Sequence, residues 1–154
     1  MALPDLQSDF LIKHSQRIIG SYRRWFGKEL VTAGTHEEQA LALFDLPAVI
    51  ASTDTQEDPV LNYGNRAALN LWELPWGKFT QTPGRHTAEP MERATRTRFL
   101  DEVRCHGFVE HYQGIRISST GRRFQIHRAK VWNLLDEKNI FYGQAVTFAE
   151  WKYL

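Results

Sequence analysis

Histidine, cysteine and serine are the residues of this 154-residue chain that could carry nucleophilic or metal chemistry, but their spacing supports neither. The chain contains no H-E-x-x-H pair, no G-x-S-x-G turn and no glycine-rich phosphate loop. Cys105 and His106 are adjacent, and adjacent residues point to different faces of a helix, so they are poorly placed to share a metal ion. We therefore expect no catalytic residues, no metal site and no bound haem or flavin. The six histidines are His14, His36, His86, His106, His111 and His127.

Three polar residues on strand-like segments are the better candidates for ligand binding. Strict alternation places His111 and Gln113 on the apolar face of a strand from 108 to 118, and Gln144 on the apolar face of a later strand. A buried Gln needs a hydrogen-bond partner, which either the core or a ligand can supply. The three side chains would orient a small molecule if the two strands enclose a cavity, and otherwise they would bond within a filled core. The later strand's apolar face is Ile140, Tyr142, Gln144, Val146 and Phe148.

Arginine is frequent from Arg85 to Arg104 and recurs at Arg122 and Arg123, which raises the question of a phosphate-binding surface. Glu92 precedes Arg96 by four residues, a spacing that favours pairing along a solvated helix. The chain has 19 basic and 18 acidic residues, so its formal net charge is only +1. A dedicated nucleic-acid binder is usually far more basic, and we expect no nucleic-acid partner.

Composition indicates one globular domain in a reducing compartment. The hydrophobic fraction of 42% is sufficient for a core, and a single cysteine cannot form an internal disulfide. The N-terminus lacks the basic start and long apolar run of a signal peptide. No window approaches the roughly 20 apolar residues that a membrane helix needs. We expect a cytoplasmic protein without a membrane partner.

The stretch from 58 to 79 predicts the unit around which the other elements are arranged. Residues 60–63 favour a strand that includes Tyr63, and Asn65 can cap the helix that follows. That helix carries an apolar face that ends at Trp72. A further helical turn is expected over 75–79.

Two helices are predicted ahead of this unit. Ser8 can cap a helix that ends near Gly27, and Thr35 begins a capping-box pattern for a helix over 36–45. The first helix has a wide apolar stripe, which we expect to lie outside the core and to form a homodimer. Removing residues 1–27 should then leave a folded monomer. The stripe consists of Ile18, Ile19, Tyr22, Trp25 and Phe26.

The rest of the chain predicts a helix over 90–106 and then three strands that follow one another as a meander. A short apolar run at 48–51 and the strand near Tyr63 should form a hairpin before them. The pattern slips between His127 and Val131, as a β-bulge would make it. This order of elements predicts an α+β fold with a five-stranded antiparallel sheet flanked by helices.

Five segments follow one another along the chain: PAVIASTDTQEDPVLNYGNRAAL (47–69), AEPMER (88–93), GIRISSTGRRFQI (114–126), VWNLLDE (131–137) and GQAVTFAEW (143–151). Together they resemble the MEKHLA family, a PAS-like domain found as a stand-alone bacterial protein and in plant homeodomain leucine-zipper proteins. The family name spells a sequence motif in one-letter code. This chain has Met91-Glu92-Arg93-Ala94 at that place and matches the motif only in part. The resemblance implies a PAS-like domain over 35–154, with residues 1–34 as an added helical extension of the same globular unit. It also implies that inward Gln144, Gln113 and His111, together with Tyr63 and Trp72, line a ligand cavity.

The function implied is a sensory or regulatory module for signal transduction, without intrinsic catalysis. It would bind a small ligand, a protein partner or its own copy, and a partner in trans would receive the signal. Two alternatives remain open. The same cavity could serve an enzyme that acts on a small metabolite, or the domain could be a purely structural interaction module with a filled core.

Overall fold

The computed structural model describes residues 3–32 and 34–154, and within them five α-helices and six β-strands form an α+β domain. The helices are α1 (Asp9–Phe26), α2 (His36–Phe44), α3 (Arg66–Trp72), α4 (Trp76–Phe79) and α5 (Pro90–His106). The strands are β1 (Val49–Thr53), β2 (Leu61–Gly64), β3 (Phe108–Ile117), β4 (Arg123–Leu135), β5 (Phe141–Phe148) and β6 (Glu150–Tyr153). None of the described helices is long and apolar enough to cross a membrane.

The sheet is antiparallel and runs in the order β2-β1-β5-β4-β3, with β6 added beside β4. The predicted α+β class, the five-strand path and the N-terminal helix are confirmed, and β6 is a short strand beyond them. β4 serves two neighbours in turn, pairing with β6 over 124–127 and with β5 over 130–135. Between those stretches Arg128 adopts a left-handed backbone with φ 53°, which is the predicted slip in the strand pattern.

The helix caps follow the sequence closely. Ser8 accepts from the Leu11 amide, and Thr35 and Glu38 form the reciprocal capping box of α2. Asn65 does more than cap α3, because its buried Oδ1 accepts from the amides of both Ala68 and Ile50. One side chain thus holds the start of α3 against β1.

One face of the sheet, called here the outer face, is covered by α1 and α2. Ile18 and Ile19 of α1 are fully buried and belong to one apolar cluster with Trp132 and Leu134 of β4 and Ile50 of β1. The expectation that α1 lies outside the core is therefore wrong, because its own chain covers the stripe. The homodimer through α1 stays a prediction, without the exposed surface that motivated it.

The opposite face, called the inner face, is covered by α3, α4 and α5. Trp72 and Phe79 from this helical layer pack with Phe124 and Phe148 of the sheet. α5 is held more loosely, since Val103 is its one fully buried residue. A gap remains where α5 passes over the sheet, and the candidate site lies there.

Candidate ligand-binding cavity

A cavity of about 70 Å³ lies between the inner face of the sheet and helices α3 and α5. That volume holds several water molecules or one compact ligand, whereas pockets for drug-sized molecules begin near 300 Å³. The polar side chains around it come from β1, β3, β5, α5 and the turn that precedes α5. Its apolar walls include Leu61, Trp72, Phe99, Leu100, Ile126 and Val146.

Trp72 lies at the cavity, as the sequence suggested. It is the last residue of α3, and its ring packs edge-on against Phe124 and Phe148 while lining the cavity. Its indole Nε1–H is buried and has no hydrogen-bond partner within the described chain.

Tyr63 is buried on the outer face instead, with its ring 5.7 Å from that of His14. The cause is an irregularity in the β1–β2 hairpin, where Tyr63 pairs with Ser52 but the next pair is Leu61 with Thr53. The additional residue turns Leu61 towards the cavity and Tyr63 away from it. The prediction that Tyr63 lines the cavity is therefore wrong.

His111 and Gln113 are both exposed, beside His127 and Glu150 at the surface. His111 has a left-handed backbone with φ 59°, and the β3–β4 register shifts on both sides of Tyr112. This bulge breaks the alternation on which the sequence prediction depended. The prediction that His111 and Gln113 face inward is wrong, and Tyr112 lines the cavity in their place.

Gln144 does face the cavity, in agreement with the prediction, and its role towards a ligand stays a prediction. Its Nε2 donates to the Leu100 carbonyl at 3.0 Å and to Asn133 Oδ1 at 3.2 Å. Tyr142 does not share this face, because the backbone turns at Gly143, where φ is 138°. A side chain at Gly143 would collide with the Thr53 carbonyl, so only glycine fits. Tyr142 packs against α1 instead.

We expect Gln144→Leu to lower the free energy of unfolding by about 1–3 kcal/mol, because Asn133 Oδ1 loses a donor in a half-buried site. Urea denaturation measures the change. Gln113→Leu on exposed β3 is the matched control and should change stability by less than about 0.5 kcal/mol. Equal stability of the two variants would show that the Gln144 bonds contribute little to the fold.

Two arginines at the cavity were missed by the sequence interpretation. Arg96 of α5 and Arg116 of β3 both line it. The expected pairing of Glu92 with Arg96 is wrong, since the ion pairs among the described residues include neither Arg96 nor Arg116. Burial, and then the positive charge of Arg116, lower the pKa of Arg96 to about 10, so Arg96 stays protonated at neutral pH. Arg116 lies between Ile115 and Ile117, and simple alternation would place it in solvent. The bulge at His111 turns it to the inner face, and the sequence alone does not indicate that bulge.

Solved PAS and Light-Oxygen-Voltage structures share this fold. The PAS domain of a Colwellia psychrerythraea protein has a TM-score of 0.63 at 14% identity, with 77% of this chain and 95% of that chain covered. A Light-Oxygen-Voltage domain studied with a flavin analogue has a TM-score of 0.60 at 12% identity, covering 76% and 84%. A fungal Light-Oxygen-Voltage photoreceptor has 0.59 at 15% identity, covering 95% and 98%. At these identities the likeness shows the fold alone, and the predicted PAS-like fold is confirmed.

A flavin does not fit this cavity. The isoalloxazine ring system needs a pocket in the drug-sized range, several times the 70 Å³ found here. Cys105, the chain's one cysteine, is exposed near the end of α5 and does not line the cavity. Within residues 3–32 and 34–154, no group of three or more His, Cys, Asp or Glu side chains is arranged to hold a metal ion.

Sequence comparison identifies the family. No curated protein matches the chain. The family model for the MEKHLA domain, in contrast, matches residues 12–153, which include nearly all of α1 as well as the whole sheet. The matched range agrees with the packing, in which α1 and the sheet share one core. The chain belongs to the MEKHLA domain family.

Proposed function

We propose that this domain is a sensory or regulatory module that binds a compact small molecule in the inner cavity and signals its presence through α5. The observation that carries the proposal is the preformed cavity, with aromatic and aliphatic walls and a few polar groups. Small-molecule sites in proteins have this composition. The sensory-domain fold of the neighbouring structures supports the same role.

α5 is the element best suited to respond to a ligand. Over its 17 residues it has one fully buried side chain, Val103, and it contributes Arg96, Phe99 and Leu100 to the cavity. Helices with few buried apolar contacts open locally at low free-energy cost. A ligand that contacts α5 and the sheet together would hold α5 against the sheet. The exposed side of α5 would present that change to a protein partner.

Binding is better supported than turnover in this cavity. Among the described residues that line it there is no His, Cys, Asp or Glu to act as a nucleophile or general base. Ser52 is the one lining serine, and its hydroxyl donates to Asn62 and lies 2.9 Å from His14 Nε2 on the outer face. Without a base in the cavity, the arrangement can hold and orient a molecule.

We expect native mass spectrometry of the freshly purified protein to show a mass above that of the bare chain, from a molecule held in the cavity. Leu100→Trp replaces a cavity-lining side chain by a bulkier one that fills the space, so the added mass should be lost. Met91→Trp is the control, since Met91 is exposed near the start of the same helix and should retain the molecule. A bare mass together with no thermal shift from any compound of a small-metabolite library would contradict the proposal.

A further inference from the structure

We propose that the ligand is a compact organic monocarboxylate, whose carboxylate lies between the guanidinium groups of Arg96 and Arg116. This inference depends on the proposed function and names the chemical class that the cavity selects. The observation behind it is a pair of cations at one cavity, whose lining includes no Asp or Glu among the described residues.

Arg116 is the more deeply buried of the two, with 8% of its surface exposed. Its guanidinium donates to the Ile115 carbonyl at 2.8 Å and to the Tyr112 hydroxyl at 3.2 Å. Both acceptors are neutral, so the positive charge of Arg116 stays uncompensated. The guanidinium also has further N–H groups available to a ligand. Burying a charge without a counterion is costly, and a bound carboxylate would remove that cost.

Arg96 is half-buried and makes no hydrogen bond or ion pair within the described chain, although it lines the cavity. The nearby carboxylate of Asp58 pairs with Arg85 at 2.7 Å. Arg96 and Arg116 line the same cavity, and the positive charge of Arg116 contributes to the lowered pKa of Arg96. Two guanidinium groups at one cavity can serve the two oxygens of a carboxylate.

The cavity walls determine the size of the ligand and the apolar character of its carbon skeleton. Phe99 stacks on Tyr112 with the ring centroids 3.7 Å apart, and Trp72 and Leu100 contribute to the apolar wall. About 70 Å³ admits a short carbon skeleton and excludes nucleotides and lipids.

The groove beside the cavity favours a ligand with a single negative charge. A groove of about 290 Å³ adjoins the cavity and shares Arg96 and Gln144 with it. Three carboxylates line this groove, Asp54, Glu57 and Asp101, against the two arginines Arg96 and Arg104. A second carboxylate or a phosphate that reaches into the groove would therefore meet a net negative charge.

Thermal melting tests the assignment with propionate, butyrate and pyruvate as probes, against chloride at matched ionic strength. We expect at least one of these monocarboxylates to raise the Tm of the wild type by about 3 °C or more. Arg96→Met and Arg116→Met should each lose that rise. Arg98→Met, an exposed position on α5, is the matched control and should retain it.

Neutral amides separate this inference from the function on which it depends. If propionamide, butyramide or another neutral compound stabilises the wild type and both arginine variants as well as the acids do, the cavity binds ligands but the anion assignment is wrong. A rise with succinate or inorganic phosphate and none with the monocarboxylates would also overturn it. If no small molecule of either charge has an effect, the proposed function and this inference fail together.

Discussion

Deleting residues 1–27 is expected to abolish cooperative folding, because it removes α1 from the outer face of the sheet. Trp132 and Leu134 are fully buried beneath that helix, together with Ile50. Each large apolar side chain that becomes exposed costs about 1.5–3 kcal/mol, and a domain of this size has only about 5–15 kcal/mol in total. Circular dichroism during urea titration should show no sigmoidal transition for the truncated chain, and the exposed sheet should bind the dye ANS.

A point substitution separates the loss of packing from other effects of truncation. Ile18→Ala removes a fully buried side chain and should lower the free energy of unfolding by about 2–5 kcal/mol. Lys13→Ala on the exposed side of α1 is the control and should change it by less than about 0.5 kcal/mol. A truncated chain that unfolds cooperatively as a monomer would contradict the structure and restore the idea of a separate extension.

The helices were predictable because their ends depend on local chemistry. Ser8, Thr35 and Asn65 each accept from an amide in the first turn of the helix that they precede, as their side chains suggested. The apolar stripe of α1 was also correctly identified as a surface that must be buried. The sequence could not say against what, since helical periodicity indicates an apolar face and not its partner.

The faces of the strands were less predictable, because they depend on bulges. The bulge in β4 disturbs the apolar pattern between His127 and Val131, so the sequence indicated it. His111 takes a left-handed backbone, although it is neither glycine nor asparagine, the residues that usually indicate one. The alternation of inward and outward side chains is reversed after it. That reversal explains how Arg116, which simple alternation would place in solvent, comes to line the cavity.

A buried histidine beneath α1 is a further polar group that the sequence did not single out. His14 is fully buried, and its Nε2 lies 2.9 Å from the Ser52 hydroxyl. Because that hydroxyl donates to Asn62 Oδ1, Nε2 must be the donor to Ser52, and Nδ1 is left without a partner. Burial, and then the positive charge of Arg17, lower the pKa of His14 from 6.5 to about 4. The folded state therefore holds His14 neutral.

This arrangement predicts a loss of stability in mild acid. Between pH 6.5 and 4 the unfolded chain protonates His14 and the folded chain does not, so stability is complete above that window and falls as the pH falls through it. We expect the free energy of unfolding to drop by about 2 kcal/mol between pH 7 and pH 5 from this residue. Urea denaturation at the two values measures the drop. Carboxylates with lowered pKa, such as Glu38 and Asp136, contribute mainly at lower pH.

A variant without the imidazole isolates this contribution. His14→Phe keeps an aromatic ring among Phe10, Tyr63 and Tyr142, and Ser52 can still donate to Asn62. Its stability should change by about 2 kcal/mol less than that of the wild type between pH 7 and pH 5. His36→Phe, at an exposed position on α2, should retain the full wild-type dependence. An identical pH dependence in wild type and His14→Phe would mean that the folded chain protonates His14 readily, and that α1 opens enough for water to reach it.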